Sequence, residues 1–200
     1  VISPPPLPAV PVIVAVPTIT IKERPAHWRN FSSSPRTVTQ AIVMHCTDGC
    51  EGNRQDDNVA AMFADPALAP HRSAHYVVDS DSVTRCVPDM QHAWHGGHTA
   101  NAGTIGVELC GRAAQTRDEW LDGPSMATLS IAARLVANLC TTFGIPPSVV
   151  NDRGLLAGSR GITTHSFVSM AWKQSNHHDP GVAFPLGSFV VAVSKAMLVG

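Results

Sequence analysis

Apolar residues along this chain fall into two rhythms. The first is short and strand-like. Residues 37–45, TVTQAIVMH, form a compact β-rich run that closes on a histidine, which predicts a buried strand. Residues 104–111, TIGVELCG, predict another. Alternation there sets Ile105, Val107 and Leu109 on one face, and Gly106, Glu108 and Cys110 on the other. Residues 74–89, AHYVVDSDSVTRCVPD, break at DSDS into two short strands, with Asp and Ser supplying a hairpin turn.

The second rhythm is helical. Residues 56–66, DDNVAAMFADP, carry Val59, Met62 and Phe63 at helical spacing, with acidic caps at the start and Pro66 as the stop. Residues 123–144 give the strongest helix. Pro124 suits the first turn, Leu129, Ala133, Val136, Leu139 and Phe143 trace one face, Gly144 ends it and Pro146 prevents resumption. Residues 164–174 and 187–199 predict two further helices. Strands mingled with helices in this way predict an α/β fold: a single domain with a central mixed β-sheet flanked by helices.

Composition narrows the function. The 200 residues are 44% apolar and 14% charged, with a net charge of −1, so the chain can bury a core and carries no basic tract for nucleic acid. Its first seventeen residues are apolar but proline-rich, and no run there approaches a membrane span. We expect residues 1–21 to be an arm or linker ahead of a domain over 22–200. Five cysteines leave at least one unpaired. Cys46 and Cys50 are close enough to bridge, which sequence leaves open; Cys86, Cys110 and Cys140 read as buried thiols.

Ten histidines raise the question of a metal. His45 ends a predicted strand, at the sheet edge where α/β proteins gather ligands. His165 opens a predicted helix after the Gly-Ile-Thr-Thr turn, and Asp179 stands in a loop fixed by Pro180 and Gly181. Two imidazoles and a carboxylate suit catalytic zinc, with a fourth position for water. A single histidine is more often a hydrogen-bonded structural residue than a ligand, and it is the placement of these residues that favours the metal. Glu108 is either a solvated strand residue or a general base facing a site. Residues 92–103, HAWHGGHTANAG, are either a flexible loop over a packed Trp94 or one wall of a sugar or peptide cleft. No nucleotide-binding glycine loop and no H-E-x-x-H are present, and AGSRG at 157–161 misses the G-x-S-x-G elbow.

Four stretches in order carry a resemblance: AIVMHCT, SAHYVVDSDSVTRCVPDMQHAWHGG, TIGVELCG, and THSF followed by HHDPGVAFP. Together, over roughly residues 38–186, they resemble the type 2 N-acetylmuramoyl-L-alanine amidases, relatives of peptidoglycan recognition proteins and phage endolysins. The resemblance implies zinc held by His45, His165 and Asp179, with Glu108 as the base for the attacking water. Trp94, His95, Gly96 and Asn101 would line the groove for peptidoglycan. Many relatives carry a lysine two residues before the ligand aspartate; here His177 stands there and would donate to the oxyanion, with Lys173 as a substitute only if its loop folds back. Ala74 stands where some lysins have tyrosine. The expected partner is bacterial peptidoglycan, met by a monomer at the cell wall, with no nucleic acid and no membrane span. A muropeptide-binding domain without turnover, or a zinc peptidase on the stem peptide, are the alternatives.

Overall fold

The computed structural model describes residues 19–68 and 72–199, so most of the expected N-terminal arm lies outside the described residues. Eight strands run in chain order: β1 (Ile21–Glu23), β2 (Phe31–Ser32), β3 (Ala41–Cys46), β4 (Tyr76–Val78), β5 (Val83–Arg85), β6 (His92–Ala93), β7 (Thr104–Leu109) and β8 (Gly161–Thr164). The helices are α1 (Gln55–Ala64), α2 (His98–Gly103), α3 (Gly123–Phe143), α4 (Asp152–Leu156), α5 (His165–Trp172) and α6 (Leu186–Met197). Six strands form one mixed sheet in the order β1-β5-β4-β7-β3-β8. All its neighbours are parallel except β4 and β5, the hairpin the DSDS break predicts. β2 and β6 pair separately as a small antiparallel ribbon.

Alternation along the strands decides which layer each residue joins. Ile42, Met44, Ile105, Val107, Leu109 and Ile162 face a core shared with Leu135, Val136 and Leu139 of α3 and with Phe189 and Val193 of α6. Their opposite-facing neighbours Ala41 and Val43 pack on Val168 and Ala171 of α5 and Leu155 of α4. Beside them, Ala60 and Phe63 of α1 cover Val77, Ala93 and Cys110. Helices therefore cover both faces, as a mostly parallel sheet requires. α3 is long and apolar enough to cross a membrane, but its stripe is spent on this core.

The ends of α3 follow its sequence signals. Asp122 Oδ1 accepts from Ser125 N, Pro124 lies in the first turn, and Gly144 closes the helix in the left-handed region at φ 61°. At α1 the acidic residues behave differently from the expected caps. Asp56 turns inward to Lys22, Ser82 and Thr84, and the first amides of the helix are capped instead by Asp79 of the hairpin, through Gln55 N at 2.9 Å. The Asp79 carboxylate also accepts from Ser82 N, so one side chain braces the hairpin and starts a helix. All five cysteines are free thiols, with Cys46 buried and Cys50 exposed.

One expected turn is a strand. Gly161–Thr164 pairs in parallel with Ala41–Met44 at the edge of the sheet. Two threonines and a glycine gave no apolar alternation to read, yet all four residues are buried.

Candidate metal centre and cleft

The parallel register brings the chemistry together. His45 stands opposite Glu108 across β3 and β7, so both side chains leave the same face of adjacent strands. On the other side, Met44 pairs with Thr164, which places His165 level with His45 as α5 begins. Thr164 caps α5 by accepting from Phe167 N. Three neighbouring parallel strands thus deliver His45, Glu108 and His165 from their carboxyl ends, where open α/β sheets gather ligands.

Asp179 arrives from the loop before α6, and backbone contacts seat it. Ser166 N donates to the Asp179 carbonyl at 3.2 Å, and Gly181 N to the His178 carbonyl at 3.0 Å. Gly181 lies at φ 93°, and a Cβ there would fall 2.0 Å from the Ala113 carbonyl oxygen. Only glycine fits both the turn and that close approach.

The three candidate ligands converge. His45 Nδ1 lies 3.1 Å from His165 Nδ1 and 3.1 Å from Asp179 Oδ2, and His165 Nδ1 lies 3.0 Å from Asp179 Oδ1. Among the described residues this is the one cluster of its kind whose ligand atoms could hold a metal ion. Tetrahedral zinc bonds of about 2.0–2.1 Å set donor-to-donor edges of roughly 3.3 Å, close to the 3.1 Å between the two imidazole nitrogens, while the Asp179 carboxylate presents a different oxygen to each ring. Burial disfavours a charged His45, which suits a neutral ligand. Burial also pushes the Asp179 carboxyl up, but hydrogen bonds from His165 and His45 outweigh it and hold the group well below the carboxylate range. The site therefore offers one anion and two imidazoles.

Both imidazoles have partners on their far sides. His45 Nε2 lies 3.0 Å from His95 Nδ1, and His165 Nε2 lies 2.9 Å from Ser175 Oγ. Ser175 gave no sequence signal, because its contact depends on how the loop after α5 folds back.

Glu108 lies on the floor of the same cleft, and its Oε2 is buried with no hydrogen-bond partner. Burial foremost, then the charge of Asp179, push its pKa up to about 8, against a lowering by Arg72. A carboxyl near neutrality can both take and return a proton.

The cleft is open and holds about 1070 Å³. Val59, Met62 and Phe63 of α1 form one wall with Arg72; Trp94, Gly97 and His98 contribute to another, and Ser175, His177 and His178 stand beyond the ligands. His177 is 66% exposed, stacks on His165 at a centroid distance of 4.8 Å and keeps Nδ1 3.6 Å from Asp179 Oδ1. Lys173 caps α5 on the exposed surface and is not among the residues lining the cleft.

The four groove residues separate by their contacts. Trp94 reaches the cleft, half-buried. His95 is buried behind His45. At Gly96 a Cβ would meet Ala100 at 2.8 Å, so the loop packs tightly there. Asn101 Oδ1 accepts from both His95 N and Gly96 N at 2.9 Å, which ties that loop down.

Comparison with known proteins places this arrangement. Residues 34–182 match the profile of the family described as N-acetylmuramoyl-L-alanine amidase. A protein of Bacillus licheniformis named as a probable N-acetylmuramoyl-L-alanine amidase is 32% identical over 122 residues, covering 54% of this chain. That match spans only 32% of the relative's own length. Staphylococcus aureus hydrolase AmiA, solved with its ligand, superposes with a TM-score of 0.68 at 16% identity, over 92% of this chain and 86% of that one. A mutant endolysin from Bacillus subtilis superposes with a TM-score of 0.62 at 19% identity, over 88% of this chain and 99% of that one. The catalytic domain of XlyA gives the same score at 18% identity, with the same coverage of the two chains. At such identities the likeness shows a shared fold.

Proposed function

Since the chain belongs to the N-acetylmuramoyl-L-alanine amidase family, we propose that it hydrolyses the amide joining N-acetylmuramic acid to L-alanine in peptidoglycan, acting at the cell wall. The observation that carries this reading is the meeting of His45, His165 and Asp179 at 3.0–3.1 Å beside Glu108, in one open cleft.

His45, His165 and Asp179 would hold zinc. When bound, the ion supplies Lewis acidity toward the scissile carbonyl and lowers the pKa of a water to about 7. Glu108 takes the proton from the attacking water and returns it to the leaving amine of L-alanine. His177, at the rim beside Asp179, donates a hydrogen bond to the developing oxyanion in the position where relatives carry lysine. Trp94 and the α1 wall of Val59 and Met62 receive the glycan–peptide strand, while Gly96 and Asn101 hold the loop that presents Trp94. The domain acts as a monomer.

The reading is tested by incubating the zinc-loaded chain with purified peptidoglycan and following loss of turbidity, with chelated and zinc-restored controls. Clearing that stops on chelation and returns with zinc supports the assignment. A polymer that pellets the zinc-loaded protein but never clears would make this a muropeptide-binding domain.

A further inference from the structure

One large aromatic side chain stands in water outside the cleft. Trp28 is 73% exposed, although tryptophan carries a large apolar area and is on average well buried. It opens a single 3₁₀ turn, Trp28–Asn30, whose seat is fixed. His27 N donates to the Phe63 carbonyl at 2.9 Å, and Asn30 Nδ2 donates to the same oxygen at 2.8 Å. Asn30 N closes the turn on the His27 carbonyl at 2.8 Å. The backbone is therefore held on both sides of Trp28, and the indole is presented to solvent from a firm base.

That base is joined to the cleft. Met62 and Phe63 of α1 line the cleft, while the Phe63 carbonyl holds the turn beyond it. Phe31 of β2 pairs with Ala93 of β6, so Asn30 and Trp94 stand opposite one another as the next positions in line. Ser73 ties the two together. Its Oγ donates to the Asn30 carbonyl at 2.6 Å and accepts from Trp94 N at 3.0 Å. Ser73 and Trp94 both line the cleft. Trp28 thus lies two residues, at most about 7 Å of chain, from a residue bonded to the cleft wall.

A pyranose ring carries C–H groups on its faces and hydroxyl and amide groups around its edge, so it fits an open aromatic face with polar groups beside it. The His27 ring lies 5.5 Å from the indole, tilted by 41°, and the exposed Arg29 follows in the chain. Resting on the peptidoglycan reading above, we propose that Trp28 is an outlying saccharide subsite, on which a sugar of the glycan strand stacks beyond the cleft. Trp28 stands ahead of residues 34–182, the stretch that matches the family profile, so that likeness does not imply the subsite. Its effect is on retention: a strand engaged at Trp28 and Trp94 together leaves more slowly than one held in the cleft alone.

The test uses the full chain without metal and a short peptide-free glycan strand prepared from peptidoglycan. That probe has no amide to cut, so binding is read apart from turnover. In ¹H–¹⁵N spectra the indole signals of Trp28 and Trp94 should both shift on titration, while that of Trp120, buried in the core, should not. Trp28→Ala should raise the glycan Kd about 5–10-fold, whereas Trp28→Phe keeps an aromatic face and should stay within about threefold of wild type. An unmoved Trp28 signal, an Ala variant that binds like wild type, or a Phe variant no better than Ala overturns the proposal. So does a Trp28 signal that answers to poly(glycerol phosphate) and not to the glycan, with the response lost in salt, which would mark a polyanion site instead. If the Ala variant does not fold, the wild-type signals decide alone. A wild type that binds no glycan sinks the subsite, even where the zinc-loaded chain releases stem peptides and the amidase reading stands. Glycan binding at Trp28 without such release would sink the amidase reading and leave the subsite in place.

Discussion

Glu108 shares its strand with three core residues, yet its own side chain is turned to the cleft, where Oε2 is buried without a partner. Its pKa, raised to about 8, means the folded protein binds that proton more tightly than the unfolded chain does. The stabilisation is therefore fully present below the unfolded value near 4.5 and is lost as pH rises through 8. Between pH 5 and 8 the metal-free wild type should lose roughly 3 kcal/mol relative to Glu108→Gln, since each tenfold difference in proton affinity is worth about 1.4 kcal/mol. Urea unfolding of both proteins across that window checks this, since contributions from the buried histidines cancel in the difference; a flat difference contradicts it. In the zinc-loaded protein, Glu108→Gln should reduce turnover by about 10²–10⁴-fold while leaving zinc affinity unchanged. Full turnover with zinc bound would remove Glu108 as the base. The face of Glu108 was legible from alternation alone, and so was the strand-end placement of His45. The contacts of His95 and Asn101 were not, because a histidine-rich glycine loop reads the same whether its side chains meet a ligand or one another.

Among the elements, those with strong periodicity were readable from sequence, and those defined by their neighbours were not. α3 carries its own stripe, caps and stop, so its bounds follow from local signals. β8 is a strand because β3 lies beside it, and nothing within GITT announces that. The same holds for β1, which pairs with β5 from some sixty residues away. The loop that brings in Asp179 depends on one glycine. Gly181→Ala forces a side chain into the left-handed region and against the Ala113 carbonyl oxygen. It should cost about 1–3 kcal/mol of stability and weaken zinc binding, because the ligand is displaced. Gly187→Ala, where a Cβ would meet nothing within 4 Å, should change neither; thermal melts and chelator competition compare the two. Asp122→Ala at the start of α3 should cost about 1 kcal/mol with no effect on zinc.

For the molecule as a whole, sheet and helices form a frame that brings the side chains of His45, His165 and Asp179 within 3.0–3.1 Å of one another. Zinc that binds the folded chain and not the unfolded one stabilises it by mass action, so melting temperature should climb with free zinc and fall on chelation. A melting temperature indifferent to both would contradict a preformed site. Bacterial peptidoglycan offers several bonds to such a centre, and only the products identify which one is cut. The most direct measurement is therefore mass spectrometry of the soluble products released from purified peptidoglycan by the zinc-loaded chain. Free stem peptides with an exposed L-alanine amine are expected, lost on chelation and restored by zinc. Shortened peptides still attached to muramic acid would contradict it and make the protein a peptidase.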